Sequence, residues 1–219
     1  MSGVYGQQGI ADTEDEFNTL MFAIKLYMQK VQTATPVKVV SCTNDGGLSP
    51  VGTVVVQPLV NQRNGDGTAT PHGQIYNIPY CRWQGGLSAI ILDPAAGDIG
   101  LMVVASRDIS LVKATAAQAN PGSLREFDWA DGIYVSGMLN GTPTQYVRFL
   151  PSGGGIDLVS PGTININGTT IDPDGNIVIK SGSTITDGNG VVLETHQHNP
   201  GTYEVGSSPV TGKSSAPTA

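Results

Sequence analysis

The residues best suited to chemistry are two histidines near the end of the chain, in Thr195-His196-Gln197-His198. The sequence has three histidines in all, and two of them stand here at i and i+2. On an extended backbone such positions point the same way, roughly 6.8 Å apart. Two imidazoles from one chain fall short of a four-ligand zinc site. Around a threefold axis the count changes, because three chains supply six nitrogens. Six nitrogens suit an octahedral ion such as Fe²⁺, Co²⁺ or Ni²⁺, and abundance favours iron. Such a site has no open coordination position, so its role would be structural.

Other candidates point to turns and solvated loops. Asp172-Pro173-Asp174-Gly175-Asn176 and Asp187-Gly188-Asn189-Gly190 resemble fragments of calcium loops but lack the spacing and closing Glu of an EF-hand, and read as β-turns. Asp93, Asp98 and Asp108 sit at strand ends without the spacing of an acid/base pair. His72, beside Pro71, reads as a solvated loop residue. Cys42 and Cys81 are too far apart for a CxxC pair and read as buried, reduced thiols in strands. No nucleophile elbow, P-loop or dinucleotide fingerprint occurs. Gly153-Gly154-Gly155 reads as a flexible joint, since no helix follows it.

The elements that must position the histidine pair are short strands. From Thr144 to Glu194 the chain steps evenly through Tyr146–Leu150, Ile156–Val159, Thr163–Ile166, Thr169–Ile171, Ile177–Ile179, Thr184–Thr186 and Val191–Leu193. Gly, Asn, Asp, Ser or Pro bounds each one. Ile164-Asn165-Ile166-Asn167 shows the two-residue alternation of a strand. Each segment offers only two or three inward apolar residues, too few for a core in one chain, and leaves many open edges. Intertwining with identical copies pairs the edges and stacks the Ile and Val on a shared axis, the logic of a β-helix. A single-chain β-sandwich is the alternative.

Upstream, Val37–Val40, Val51–Val60, Ile75–Tyr80, Leu87–Leu92 and Ile99–Ser106 read as five strands. Turns such as Asn44-Asp45-Gly46-Gly47 and a long loop, Asn61–Thr70, separate them. Five short strands in this span predict a closed barrel of OB-fold type. Ala114–Ser123 reads as a linker, with Phe127 and Trp129 as anchors beyond it and Ile133-Tyr134-Val135 opening the next strand run. Before the barrel, Thr13–Val31 is the one good helix, with Thr13 and Glu16 forming a capping box. Phe17, Met21, Ile24, Met28 and Val31 follow a 4-3-4-3 heptad spacing. This stripe either lies on its own domain or joins copies in a short coiled coil.

The resulting expectation is a mainly β chain. It has an N-terminal arm and helix (1–35), an OB-fold-like barrel (36–113) and a linker with the start of the stem (114–143). An intertwined trimeric β-helix or prism with a metal-bound apex follows (144–198), then a tail (199–219) that is poorly ordered or forms an extended strap. Charged residues make up 13% of the sequence, too few for the outer faces of a helical bundle. The formal charge of −7 argues against nucleic-acid binding. No apolar run is long enough to span a bilayer, and Met1–Ile10 lacks the regions of a signal peptide. Synthesis in the cytoplasm is therefore expected.

The order of helix, OB-like barrel, Gly-rich ladder of short strands and His-x-His resembles the central, membrane-piercing spike proteins of contractile-tailed bacteriophage baseplates. The resemblance runs from Ala11 to His198. Its specific parts are Gly97-Asp98-Ile99-Gly100-Leu101, the strand ladder and His196-Gln197-His198. It implies a homotrimer in the virion whose barrel attaches to baseplate hub and tail tube proteins. It implies one Fe²⁺ per trimer held by His196 and His198 of three chains. It also implies a mechanical role, without catalysis, in puncturing the host bacterial outer membrane as the sheath contracts. The residues after His198 would then have to fold back from the apex. Two other classes stand beside this one. A carbohydrate-binding OB-fold adhesion module on a β stem would use the Asn61–Thr70 loop. A metal-dependent hydrolase would need a carboxylate base, for which Glu194 is the near candidate.

Overall fold

The computed structural model describes residue 12, residues 15–193, and the backbone of residues 202–205 and 208–211. The chain forms two compact units, Met1–Gly141 and Thr142–Ala219.

The first unit begins with α1 (Glu16–Met28). Its N-cap is Asp15, whose carboxylate accepts the Asn18 amide at 2.7 Å. A capping acid at this end also suits the helix dipole. The helix thus starts later than expected, and Thr13 lies outside the described residues. No residue of α1 is buried, and Phe17, Met21, Ile24 and Met28 along the heptad seam are all exposed.

The strands that follow are β1 (Ala34–Cys42), β2 (Thr53–Pro58), β3 (Gln62–Arg63), β4 (Ala69–Thr70), β5 (Ile75–Pro79), β6 (Trp83–Gly85), β7 (Ser88–Ile90) and β8 (Ile99–Val104). A short helix, α2 (Ser110–Thr115), and β9 (Gly132–Ser136) complete the unit. Five strands form a curled, half-barrel sheet in the order β5-β2-β1-β8-β9, every neighbouring pair antiparallel. Register shifts in β1–β2 and β2–β5 add the local twist that curls a sheet. The far strands approach each other through a parallel bridge between Tyr80 and Tyr134, where the Cys81 amide donates to the Tyr134 carbonyl at 2.9 Å.

The concave face carries the core: Val37, Val39, Val54, Val56, Ile78, Tyr80, Met102 and Tyr134. Burial in β2 alternates residue by residue, as a one-sided sheet requires. Val dominates because β-branched side chains suit this half-buried, pleated surface.

Two strands depart from the sequence expectation. Leu87–Leu92 is not a sheet strand; its first part pairs with Trp83–Gly85 in the separate β6–β7 hairpin. The fifth sheet strand is β9, which the sequence reading assigned to the linker and stem. The intervening segment is also held more firmly than a linker. Arg125 grips Asp131 through Nε (2.7 Å) and Nη2 (2.9 Å) and lies 3.1 Å from Asp108. Asp131 is wholly buried and also accepts the Ile109 amide at 3.0 Å.

The second unit contains β10 (Tyr146–Phe149) paired with β11 (Ile156–Val159). Next come β12 (Ile164–Ile166), β13 (Thr169–Ile171) and β14 (Ile177–Val178) in a three-stranded sheet. A lone bridge joins Thr186 to Val192. No described residue from Thr142 to Leu193 is buried. The tail contains an antiparallel hairpin, β15 (Thr202–Val205) with β16 (Ser208–Thr211), where the sequence suggested a strap.

Candidate functional site

His196, His198 and the nearby Glu194 lie outside the described residues. What the structure does describe is the element leading to them. Two Asp-closed turns recur along the stem segment with the same bonding. Asp172 Oδ1 accepts the amides of Asp174 (3.0 Å) and Asn176 (2.8 Å). Fifteen positions later, Asp187 Oδ1 accepts the amides of Asn189 (2.9 Å) and Val191 (2.8 Å). In both turns the Asp amide also donates to the carbonyl four residues on, and the residue at i+3 donates back. A short carboxylate that captures amides two and four residues ahead makes a tight reversal between very short strands. The hydrogen bonds hold both carboxyls below their usual range, led by the Asn176 side chain at Asp172 and the Val191 amide at Asp187. Both carboxylates are thus engaged with their own turns, in keeping with the reading of these motifs as β-turns.

No group of three or more His, Cys, Asp or Glu placed to hold a metal ion occurs among the described residues. Asp93, Asp98 and Asp108 each have structural partners. Asp93 sits against Arg82 at 2.6 Å and accepts the Tyr80 hydroxyl at 2.5 Å and the Gly46 amide at 3.0 Å. Burial alone would raise its pKa, but these donors outweigh that and hold it below the usual carboxylate range. Asp98 accepts the Ala95 amide at 2.8 Å. Asp108 accepts the Ser110 amide and the Ser123 hydroxyl, and with the Arg125 charge these hold its carboxyl well below the usual range.

The two cysteines are free. Cys42 is half-buried in β1, while Cys81 is exposed, which corrects the expectation of two buried thiols. His72 also departs from expectation. It is half-buried, its ring centroid lies 4.4 Å from that of Trp129, and Gln62 Nε2 lies 2.8 Å from its Nδ1. Trp129 does anchor its segment, packing against the core. The Asn61–Thr70 loop is a small hairpin, β3–β4, closed by Asn64 and Thr68. The His72–Trp129 contact joins residues far apart in sequence, so no local signal pointed to it.

No known protein-family model matches the chain, and no curated protein matches it at a significant level. No helix among the described residues is long and apolar enough to cross a membrane.

Proposed function

We propose that the chain is a structural spike protein of a contractile-tailed phage baseplate. It acts as a homotrimer that punctures the host outer membrane when the sheath contracts. The observation that carries this reading is the exposure of the stem segment. Phe149 is 75% exposed, Ile156 65%, Ile177 63% and Val178 64%, and nothing in the segment is buried. An isolated chain would leave this apolar surface in water and its short strands with open edges. Winding three copies together covers both. The repeated Asp-closed turns supply the regular reversals that stacked short strands require.

The strand order of the first unit, with its end strands bridged in parallel, supports a five-stranded Greek-key barrel of OB type. In this reading the barrel docks on hub and tail tube proteins. His196 and His198 of the three chains would hold one Fe²⁺ by six imidazoles, fastening chain ends that would otherwise fray. The protein's work is mechanical, and its stiffness comes from paired edges and a shared core.

Analytical ultracentrifugation of the full chain tests the assembly. A species of three times the chain mass, retained at nanomolar concentration, is expected. A folded monomer whose residues 144–193 resist proteolysis would overturn the stem argument.

A further inference from the structure

We infer that the first unit carries a binding site for an acidic saccharide, in the pocket beside the His72–Trp129 contact. The pocket has a volume of about 560 Å³ and lies between the end of α1, the start of β1 and the β3–β4 hairpin. Trp129, His72, Gln62, Arg63, Gln32 and Thr35 are among the residues that line it.

The hydrogen-bonding pattern selects the ligand class. Gln62 Nε2 lies 2.8 Å from His72 Nδ1, and with that amide nitrogen as the donor the imidazole presents an Nε2–H donor of its own. Gln57 fixes the residue further by donating to the His72 carbonyl. Gln32 Nε2 donates to the Gln29 carbonyl at 3.5 Å. The amide oxygens of Gln62 and Gln32 therefore remain as acceptors for hydroxyl groups. Arg63 forms no ion pair among the described residues. The acid nearest in sequence, Asp66, is taken up by the amide and hydroxyl of Thr68 at 2.9 and 2.6 Å. Arg63 and His72 Nε2–H are thus two donors suited to a carboxylate. Trp129 and His72 add ring surface for the C–H face of a sugar. Hydroxyl acceptors, carboxylate donors and an aromatic wall together describe a sugar acid.

The inference does not depend on trimer assembly. Its test uses the full chain carrying Trp83→Phe, so that Trp129 alone reports by fluorescence, with calorimetry for affinity. The probes are tetragalacturonate, chitotetraose as a neutral sugar and tetraglutamate as an acidic peptide. Tetragalacturonate is expected to perturb Trp129 and bind more tightly than either control. Arg63→Ala, in an exposed hairpin, should weaken it about tenfold or more with thermal unfolding unchanged. The inference is overturned by absence of tetragalacturonate binding, by equal binding of either control, or by unchanged affinity in Arg63→Ala.

Discussion

The Tyr134 ring of β9, whose backbone partner is Met102, reaches diagonally across to Gly100 of β8 and leaves no room there for a side chain. A Cβ built on Gly100 would lie 2.5 Å from the Tyr134 ring and 2.4 Å from the Val135 carbonyl. The glycine lets a wholly buried aromatic ring lie flat on the neighbouring strand, where the curled sheet comes together. Gly100→Ala should therefore destabilise the first unit by about 1–3 kcal/mol through overpacking. Urea unfolding reads this directly, and an unchanged midpoint would refute the contact.

The same tyrosine gives an opposite prediction. Its hydroxyl is buried with no hydrogen-bond partner among the described residues, and burial raises its pKa to about 12, with the charges of Asp98 and Cys42 adding to the effect. Removing an unsatisfied buried hydroxyl while keeping the ring should cost nothing and gain up to roughly 1 kcal/mol. Tyr134→Phe should thus unfold at equal or higher urea than the native chain. A clear loss of stability would mean that the hydroxyl has a partner.

Acid should loosen two places in the first unit, the Arg82–Asp93 contact and the segment that Asp108 ties down through Ser123 and Arg125. Asp93 and Asp108 both have pKa values lowered by folding, so the unfolded state binds more protons in the acid range. Their contribution is complete above the unfolded value of about 3.9 and is lost as pH falls through the lower folded values. Asp108→Asn should weaken the fold at neutral pH and make the acid limb of a stability–pH curve shallower. Circular dichroism melts from neutral pH down to acid would show it. Parallel curves for the two proteins would contradict the assignment.

These ion pairs mark where the sequence was hard to read. The valines of β1 and β2 announce their strands, because a local pattern there sets which face is buried, and the alternation in β12 announces an exposed strand. β9 was assigned elsewhere because its partner, β8, lies beyond α2 and the Arg125–Asp131 clamp. No local pattern reports that long-range pairing. Leu87–Leu92 misled for the converse reason. Its composition is strand-like, but its Gly85-Gly86 turn folds it on Trp83–Gly85 instead of into the sheet. The His196/His198 pair was visible as spacing alone.

The two exposed apolar surfaces should behave as interfaces. Ile24→Asp places a charge on the α1 seam, and Ile177→Asp places one on the stem. Ile177→Asp is expected to shift the sedimenting species from trimer towards monomer, as a buried unpaired charge would. Ile24→Asp should lower the trimer's melting temperature if the helices of three copies pair. A native profile for both variants would leave neither surface in the assembly.

The Asp-closed turns predict a local effect. Asp187→Ala frees the amides of Asn189 and Val191, so hydrogen exchange should accelerate there and in the paired Thr186–Val192 bridge, while β1 and β2 keep their protection. Unchanged exchange at Asn189 and Val191 would show that the carboxylate does not hold the turn.

The most direct test of the whole account is the metal content of the untagged protein, measured on an oligomer of known mass. The account predicts one iron for every three chains, lost in His196→Ala and in His198→Ala. A stable trimer without metal would contradict the iron apex, and metal bound to a monomer would contradict the threefold site.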